Sequence, residues 1–275
     1  YMTDFESFAL DQFPARDNLR TLKALSTFYV FRKSDNNGIY ISDGYASKLE
    51  YPLNKASVNK AADKLTKIYE DYLKGKANKV YLCVVPDKNY FLAEKNGYPS
   101  MDYGEMTDIM KDKLDFAEYI DIFPELDITD YYKTDTHWRQ EYIIGAADKI
   151  SAALGNEALK NYTVKDAGVP FYGVYYGQSA LPLDAERINY VSNDVIDNVK
   201  VTNIENSKTY TGCIDEEKLS SNDPYEIFLS GAAAVINIEN PSGDPDKKLV
   251  VFRDSFGSSM TPLIIGNYGS TVLVD

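Results

Sequence analysis

Histidine, cysteine and tryptophan are scarce in this chain of 275 residues, which contains one histidine, two cysteines and one tryptophan. A zinc site made from several histidines is therefore impossible, and Cys83 and Cys213 lack the paired spacing of a metal-binding motif. No Gly-x-Gly-x-x-Gly or Walker-type run is present for a nucleotide. We therefore expect no metal and no cofactor. Two cysteines do not make a disulfide framework, and both a single bridge and two free thiols stay open.

Positive charge and long apolar runs are also in short supply. The formal net charge is −13 and the isoelectric point is near 4.6, so repulsion from phosphates argues against nucleic acid and anionic membrane surfaces as partners. No apolar run reaches the roughly 18 residues that span a bilayer. Neutral sugars or small esters are easier partners. The 23 tyrosines suit carbohydrate contact, but they equally suit half-buried strands.

Helical and strand-like patterns alternate through the first half of the chain. Apolar residues recur at spacings of three and four over residues 54–74, and the continuous apolar run 79–86 predicts a buried strand. The same alternation predicts a helix at 105–116, a strand at 119–123 and a helix at 136–154. Strands that alternate with helices indicate an α/β fold with a doubly wound parallel sheet.

Different patterns lie on either side of this alternation. Residues 5–32 have helical spacing interrupted at Pro14, and a hairpin is predicted around residues 35–44. Short β-type runs with many turn residues fill residues 161–240, which we interpret as an inserted irregular or antiparallel region. The α/β pattern returns at residues 248–274. We expect one domain over residues 1–275 that contains this insertion.

The single histidine lies in a short run with the chemistry of an acid–base pair, Asp135-Thr136-His137-Trp138. The Asp135 carboxylate is close enough to accept a hydrogen bond from one imidazole nitrogen, which leaves the other nitrogen free as a base. Thr134 or Thr136 is a suitable N-cap, which predicts that the pair lies in the first turn of a helix. The alternative is structural: the aspartate serves the helix dipole and His137 packs on Trp138.

A serine with the right surroundings to be the partner of His137 follows a predicted strand near the C-terminus. Ser255 comes directly after the apolar run 249–252 and precedes Gly257, so its hydroxyl is expected at the carboxyl end of a strand where a helix begins. A serine hydroxyl needs an adjacent base to become a nucleophile, and this chain offers only one imidazole. The alternative is that Ser255 is only an N-cap.

Two motifs carry a family resemblance: Asp135-Thr136-His137-Trp138 and Arg253-Asp254-Ser255-Phe256. They resemble the signature of the DHHW family of bacterial proteins, which is similar to the alginate O-acetylation proteins of the AlgJ and AlgX type and, more distantly, to SGNH hydrolases. As in the AlgJ and AlgX type, the Asp-x-His motif precedes the serine. Supporting matches lie at residues 13–16 and 84–88. Thr136 replaces the first histidine of the family name, and Arg253 stands where a glycine is usual.

The resemblance implies an SGNH hydrolase-like, flavodoxin-like fold and a Ser-His-Asp triad. Ser255 would be the nucleophile, His137 the general base and Asp135 its orienting carboxylate. The implied function is a cell-surface O-acetyltransferase or esterase that acts on polysaccharide through an acyl-enzyme. Its partners would be a polysaccharide or acetylated sugar and a membrane acyl-donor protein. An N-terminal signal or anchor absent from this chain is expected to direct it to the surface.

Further site residues follow from the same arrangement. The backbone N–H of Ser255 or Phe256 is a candidate oxyanion donor, with a second donor at Gly177 or Gln178. The candidate substrate contacts are Trp138, Arg253, Tyr175 and Tyr176. The competing hypothesis is a catalytically silent extracellular carbohydrate-binding or scaffold protein with the same fold, which the departures at Thr136 and Arg253 favour.

Overall fold

The largest sheet determines where the predicted serine lies. The computed structural model describes residue 8 and residues 12–275. Its strands are β1 (Ile39–Ser42), β2 (Tyr45–Lys48), β3 (Tyr81–Cys83), β4 (Glu118–Ile120), β5 (Thr163–Phe171), β6 (Glu186–Ser192), β7 (Lys200–Asn203), β8 (Lys208–Thr211), β9 (Val235–Glu239), β10 (Asp244–Phe252) and β11 (Tyr268–Val274). Five of them pair in the order β10-β11-β9-β7-β8. Only β10 and β11 run parallel in this sheet.

Helices flank these strands and separate them along the chain. They are α1 (Arg16–Leu25), α2 (Lys55–Ile68), α3 (Lys88–Leu92), α4 (Tyr103–Lys113), α5 (Ile144–Ala153), α6 (Val174–Ser179), α7 (Asp194–Asn198) and α8 (Phe256–Ile264). Helices α5 and α8 pack against each other. They share one apolar core with β9 and β11, in which Ile143, Ile238 and Leu273 are fully buried. This core supports the junction between β10 and α8, where Ser255 lies.

The mixed α/β class is confirmed, but the predicted doubly wound parallel sheet is not, because the sheets are small and mostly antiparallel. Strands β3 and β4 form a separate parallel pair, while β1–β2 and β5–β6 are antiparallel pairs. The connection between β7 and β8 is only residues 204–207, and so short a turn can join only antiparallel strands. Strands β7, β8 and β9 lie in the region predicted as an insertion, and they belong to the same sheet as β10.

Most predicted elements occur near their predicted positions. Helix α2 begins after Asn54, whose side chain accepts a hydrogen bond from the Ser57 N–H. Asp43 and Gly44 connect β1 to β2 with positive φ angles of 50° and 81°, as a tight hairpin requires. The predicted strand at residues 79–86 is shorter than expected. Of the predicted helical region 5–32, residues 5–7 and 9–11 lie outside the described part of the chain.

The predicted helix at residues 136–154 is wrong in its first half, since α5 begins only at Ile144. Tyr131 and Trp138 form an isolated antiparallel bridge, and the Tyr132 N–H donates to the His137 carbonyl at 3.1 Å. These cross-loop bonds use backbone groups that a helix would need. Asp135 and His137 therefore lie on a loop and not in the first turn of a helix.

Cys83 and Cys213 are both free thiols, so the question of a bridge is resolved in favour of two separate cysteines. Within residue 8 and residues 12–275, no helix has the length and apolar character needed to cross a bilayer.

The buried centre of the main sheet gives a stability prediction. Ile238 of β9 is fully buried and faces strands on both sides, so Ile238→Ala should lower the free energy of unfolding by about 2–5 kcal/mol. Ile204 is 53% exposed, and Ile204→Ala should change the free energy of unfolding by less than about 0.5 kcal/mol. Urea titration of both variants checks this, and equal losses would contradict the described core.

Candidate active site

Asp135 and His137 are held together by the local turn of their own loop. The Asp135 Oδ1 atom accepts a hydrogen bond from the His137 backbone N–H at 2.9 Å and from the His137 Nδ1–H at 2.5 Å. A carboxylate can only accept, so Nδ1 carries the proton and Nε2 of a neutral imidazole is left as an acceptor. Both side chains are buried, with 2% of Asp135 and 7% of His137 exposed.

Helix α6 supports the other oxygen of the carboxylate. Asp135 Oδ2 accepts a hydrogen bond from the Val174 N–H at 2.8 Å, in the first turn of that helix. Burial alone would raise the pKa of Asp135, but hydrogen bonds from the His137 side chain and from the backbone N–H groups of His137 and Val174 hold it below its ordinary value of 3.8. Asp135 is therefore kept ionised beside the imidazole.

Ser255 is in the place where the sequence predicts it, between the end of β10 and the start of α8. Its hydroxyl makes no capping bond to the helix. Instead, Asp254 Oδ1 accepts from the Phe256 N–H at 3.0 Å, and Ser255 Oγ lies 2.7 Å from His137 Nε2. The interpretation of the Ser255 side chain as only an N-cap is thus wrong. Ser255 is an exposed residue, so an external molecule can approach it.

An aromatic network missed by the sequence analysis fixes the plane of the imidazole. The Tyr225 ring stacks on His137 with centroids 3.9 Å apart and planes 9° apart. The Tyr225 hydroxyl and Ser259 Oγ are 2.7 Å apart, and the Trp138 indole N–H donates to Ser259 Oγ at 2.8 Å. His137 therefore packs on Tyr225, not on Trp138. Ser259 was detectable because it lies one helical turn after Ser255, whereas nothing in the sequence around Tyr225 indicates this contact.

Gly173 is a second missed residue, and its role is steric. A methyl group at Gly173 would lie 2.2 Å from Asp135 Cβ and 2.4 Å from its Cα. The absence of a side chain lets the backbone before α6 approach the Asp135 loop closely enough for the Val174 N–H to reach the carboxylate. A glycine in a β-type run gives only a weak sequence signal of such an approach.

The predicted oxyanion residues are distributed over two helices. The Phe256 N–H is already bonded to Asp254. Gly177 and Gln178 lie within α6, and their carbonyls accept from the side chains of Arg20 and Asn37. Their role as oxyanion donors stays a prediction.

Two predicted substrate contacts occupy internal positions, which differs from the expectation. Trp138 is 1% exposed, because its indole packs in the core. The Arg253 side chain is 2% exposed, and its guanidinium donates to the Gly231 carbonyl at 2.8 Å. Arg253 also lies against Gly257, where a methyl group would be 2.5 Å from Arg253 Cβ. The guanidinium thus links the turn that carries Ser255 to the backbone at Gly231 and does not face the substrate.

The two tyrosines on α6 differ from each other in exposure. Tyr175 is 7% exposed, and its hydroxyl donates to Thr136 Oγ1 at 3.1 Å. Tyr176 is half-buried beside the exposed ring of Tyr172, with centroids 4.7 Å apart. Of the predicted contacts, Tyr176 has the more accessible ring. Within residue 8 and residues 12–275, no three His, Cys, Asp or Glu side chains form a group that could hold a metal ion.

Comparison with known proteins agrees with the two motifs that meet at this site. The model of the DHHW protein family matches residues 119–274, which is more than half of the chain and includes Asp135, His137 and Ser255. The chain belongs to the DHHW family. No curated protein matches it at a significant level.

Solved structures resemble the fold of this DHHW protein. A DHHW family protein from Eubacterium siraeum superposes with a TM-score of 0.72 at 19% identity and covers 88% of this chain and 83% of its own. Bacillus cereus PatB1 gives a TM-score of 0.65 at 17% identity, with 86% of this chain and 87% of PatB1 covered. PatB1 with a sulfonyl adduct gives 0.63 at 17% identity, with 86% and 84% covered. At these identities the likeness is one of fold.

The contact between Gly173 and Asp135 generates a second stability prediction for the DHHW protein. Gly173→Ala should lower the free energy of unfolding by about 1–3 kcal/mol, because the methyl group cannot fit without moving the Asp135 backbone. Gly145 in α5 has only an ordinary contact at 3.9 Å, so Gly145→Ala should be neutral or stabilise by up to about 1 kcal/mol. Chemical denaturation measures both. A neutral Gly173→Ala would show that the close approach is not needed.

The lowered pKa of Asp135 generates a pH prediction. The unfolded chain takes up the proton at a higher pH than the folded chain, so the ionised carboxylate stabilises the fold above the ordinary pKa of 3.8, and this contribution is lost as the pH falls through the folded pKa. The free energy of unfolding of the unmodified protein should therefore decrease more steeply below about pH 5 than that of Asp135→Asn. Urea titrations at a series of pH values measure the two slopes. Parallel curves would contradict the shift.

Proposed function

We propose that this DHHW protein is an SGNH-like O-acyltransferase or esterase in which Ser255, His137 and Asp135 act as a catalytic triad. The observation that carries the proposal is the unbroken chain of hydrogen bonds from Ser255 Oγ to His137 Nε2 at 2.7 Å and from Nδ1 to Asp135 at 2.5 Å. This is the arrangement that makes a serine hydroxyl nucleophilic. It disfavours the catalytically silent alternative, which has no need for an aligned base.

In the first half of the proposed reaction, His137 Nε2 takes the hydroxyl proton while Ser255 Oγ attacks the carbonyl carbon of an acetyl ester. The tetrahedral intermediate collapses when the bond to the alcohol oxygen breaks, and His137 gives its proton to that oxygen. Ser255 then carries the acetyl group as an ester. In the second half, a sugar hydroxyl or water gives its proton to Nε2 and attacks the acyl carbon. The bond between Ser255 Oγ and that carbon then breaks, and the proton returns from Nε2 to Oγ, which restores the serine hydroxyl and releases the new ester or acetic acid.

Asp135 supports both halves without changing its charge. Its pKa lies below the ordinary value, so it stays a carboxylate and stabilises the imidazolium that forms twice in each cycle. Tyr225 keeps the ring plane fixed while this charge appears, because the stacked ring leaves Nε2 directed at Ser255.

The oxyanion would form at the N-terminus of α8. The backbone N–H of Ser255 lies at that helix start, where the helix dipole favours negative charge. The Phe256 N–H becomes a second donor if the Asp254 carboxylate turns away from it. Gly177 and Gln178 stay weaker candidates because they lie inside α6.

We infer a neutral polysaccharide as the acceptor and a location at the cell surface. The inference rests on the family resemblance and on the net charge of −13, which disfavours polyanionic substrates. A membrane protein that supplies the acyl group fits the same scheme. Ser255 lies at an exposed position, which suits a long acceptor chain, because a polymer can lie across such a position.

The proposal predicts that 4-nitrophenyl acetate acylates the protein at Ser255 and is turned over. Ser255→Ala and His137→Ala should lower kcat by at least about 10³-fold, and Asp135→Asn by about 10²–10⁴-fold. Release of 4-nitrophenolate measures the rate, and intact-mass spectrometry detects the acetyl adduct. A sulfonyl fluoride is a second probe, since PatB1 forms a sulfonyl adduct.

Ser258→Ala is the matched control for this experiment. Ser258 lies in α8, three residues after Ser255, and is 2% exposed. Its hydroxyl has no hydrogen-bond partner among the described residues, so its removal should leave kcat within about two-fold. Equal turnover by the unmodified protein, Ser255→Ala and His137→Ala would reject the triad. If the protein binds saccharides but forms no acyl adduct with any donor tested, the catalytically silent alternative is supported instead.

A further inference from the structure

The loop that carries Asp135 and His137 begins with two peptide groups that lie between opposite charges. On one side, Lys88 Nζ donates to the Tyr132 carbonyl at 2.8 Å and to the Lys133 carbonyl at 3.2 Å. On the other, Glu186 Oε1 accepts from the Lys133 N–H and Oε2 from the Thr134 N–H, each at 2.8 Å. The same two peptide groups, 132–133 and 133–134, therefore present both carbonyls to an ammonium and both N–H groups to a carboxylate.

We propose that Lys88 and Glu186 form a positioning clamp that fixes the Asp135–His137 loop by aligning these two peptide dipoles between a buried cation and a carboxylate. The proposal rests on the proposed function for its catalytic consequence. Neither residue touches the reacting atoms. Each acts through the backbone that leads directly into Asp135.

The burial of Lys88 argues for a purpose beyond solubility or chance. Lys88 is 2% exposed, and an unpaired ammonium at such a position is costly. Burial lowers the pKa of Lys88 to about 7, while the charges of Asp135, Glu186 and Asp87 raise it. The ammonium also lies 4.9 Å from the centre of the Tyr175 ring, a favourable contact for a cation. The surrounding carbonyls and carboxylates offset the cost of burying Lys88.

The Glu186 side of the clamp is equally specific. Besides the two N–H groups, Glu186 Oε2 accepts from the Thr134 hydroxyl at 2.8 Å. The hydroxyl oxygen of Thr134 in turn accepts from the Gly173 N–H at 3.2 Å. The carboxylate on β6 is thus connected to the glycine that packs on Asp135. A shift of the loop at residues 132–134 would move the carboxylate on which His137 depends.

Catalysis is sensitive to such a shift, because misplacing a catalytic group by about 1 Å can cost on the order of 10²-fold in rate. If the clamp only stabilises the fold, its removal will lower the unfolding midpoint without altering kcat of the folded protein. If the clamp positions the loop, its removal will lower kcat while KM stays nearly constant. These two outcomes separate the roles.

The experiment compares Lys88→Met, Glu186→Gln and the double variant with two control substitutions on the exposed face around α2, Lys67→Met and Glu70→Gln. Lys67 and Glu70 pair with Asp71 and Lys74 at the surface, so their removal costs little. In folded protein, kcat for 4-nitrophenyl acetate should fall by about 10-fold for Glu186→Gln and about 100-fold for Lys88→Met, with KM within about two-fold. The double variant should resemble Lys88→Met, because the clamp acts as one unit.

A second readout does not depend on turnover. His137 is the only histidine of the chain, so tag-free protein should give one downfield proton resonance for the Nδ1–H bonded to Asp135. This resonance should shift or broaden in Lys88→Met and Glu186→Gln and stay in place in both controls. If Lys88→Met does not fold, Glu186→Gln carries the test, since an amide of the same shape replaces one acceptor of the clamp with a donor.

Folded clamp variants with unmodified kcat and an unmoved resonance would overturn the proposal. If the unmodified protein turns over no ester and forms no adduct, the proposed function fails. The resonance then still decides whether the clamp holds the Asp135–His137 pair.

Discussion

A hydrogen bond of 2.7 Å joins two segments that are 118 residues apart in the chain, and the geometry of the whole site depends on it. Ser255 is carried by the junction of β10 and α8, and His137 by a loop with no regular secondary structure. A bond of this length tolerates only small relative movements. The serine side is fixed by the core under α8. The histidine side is fixed by the stacked Tyr225 ring and by the polar contacts of its loop.

The polar contacts around the loop form a connected set instead of a collection of separate bonds. Thr134 is bonded to Glu186 and to Gly173, Asp135 to Val174, and Thr136 to Tyr175. Successive residues of the loop are therefore attached to β6 or to the start of α6. The region at residues 161–240 thus holds the Asp-His motif in place. Networks of this kind rigidify when every member is satisfied.

The limits of sequence reasoning follow from the range of the contacts involved. Helix α2 and the β1–β2 hairpin were predictable because capping and turn residues act over a few positions. The contacts among Asp135, His137 and Ser255 were predictable, because a serine nucleophile needs an adjacent base and the chain has only one histidine. Tyr225 was not, because ring stacking on His137 across almost ninety residues leaves no local pattern. The extent of α5 was mispredicted since helical periodicity cannot register a cross-loop bridge such as that of Tyr131 and Trp138.

Arg253 occupies the position before Asp254 and Ser255 where a small residue would leave empty space. Its buried guanidinium reaches the Gly231 carbonyl, and its Cβ takes the volume that a side chain at Gly257 would need. The two positions are therefore sterically coupled. A side chain at position 253 restricts position 257 to glycine, whereas glycine at position 253 would leave room for a side chain at position 257. Covariation of this pair among family members would record which of the two ways of filling the turn each lineage has adopted.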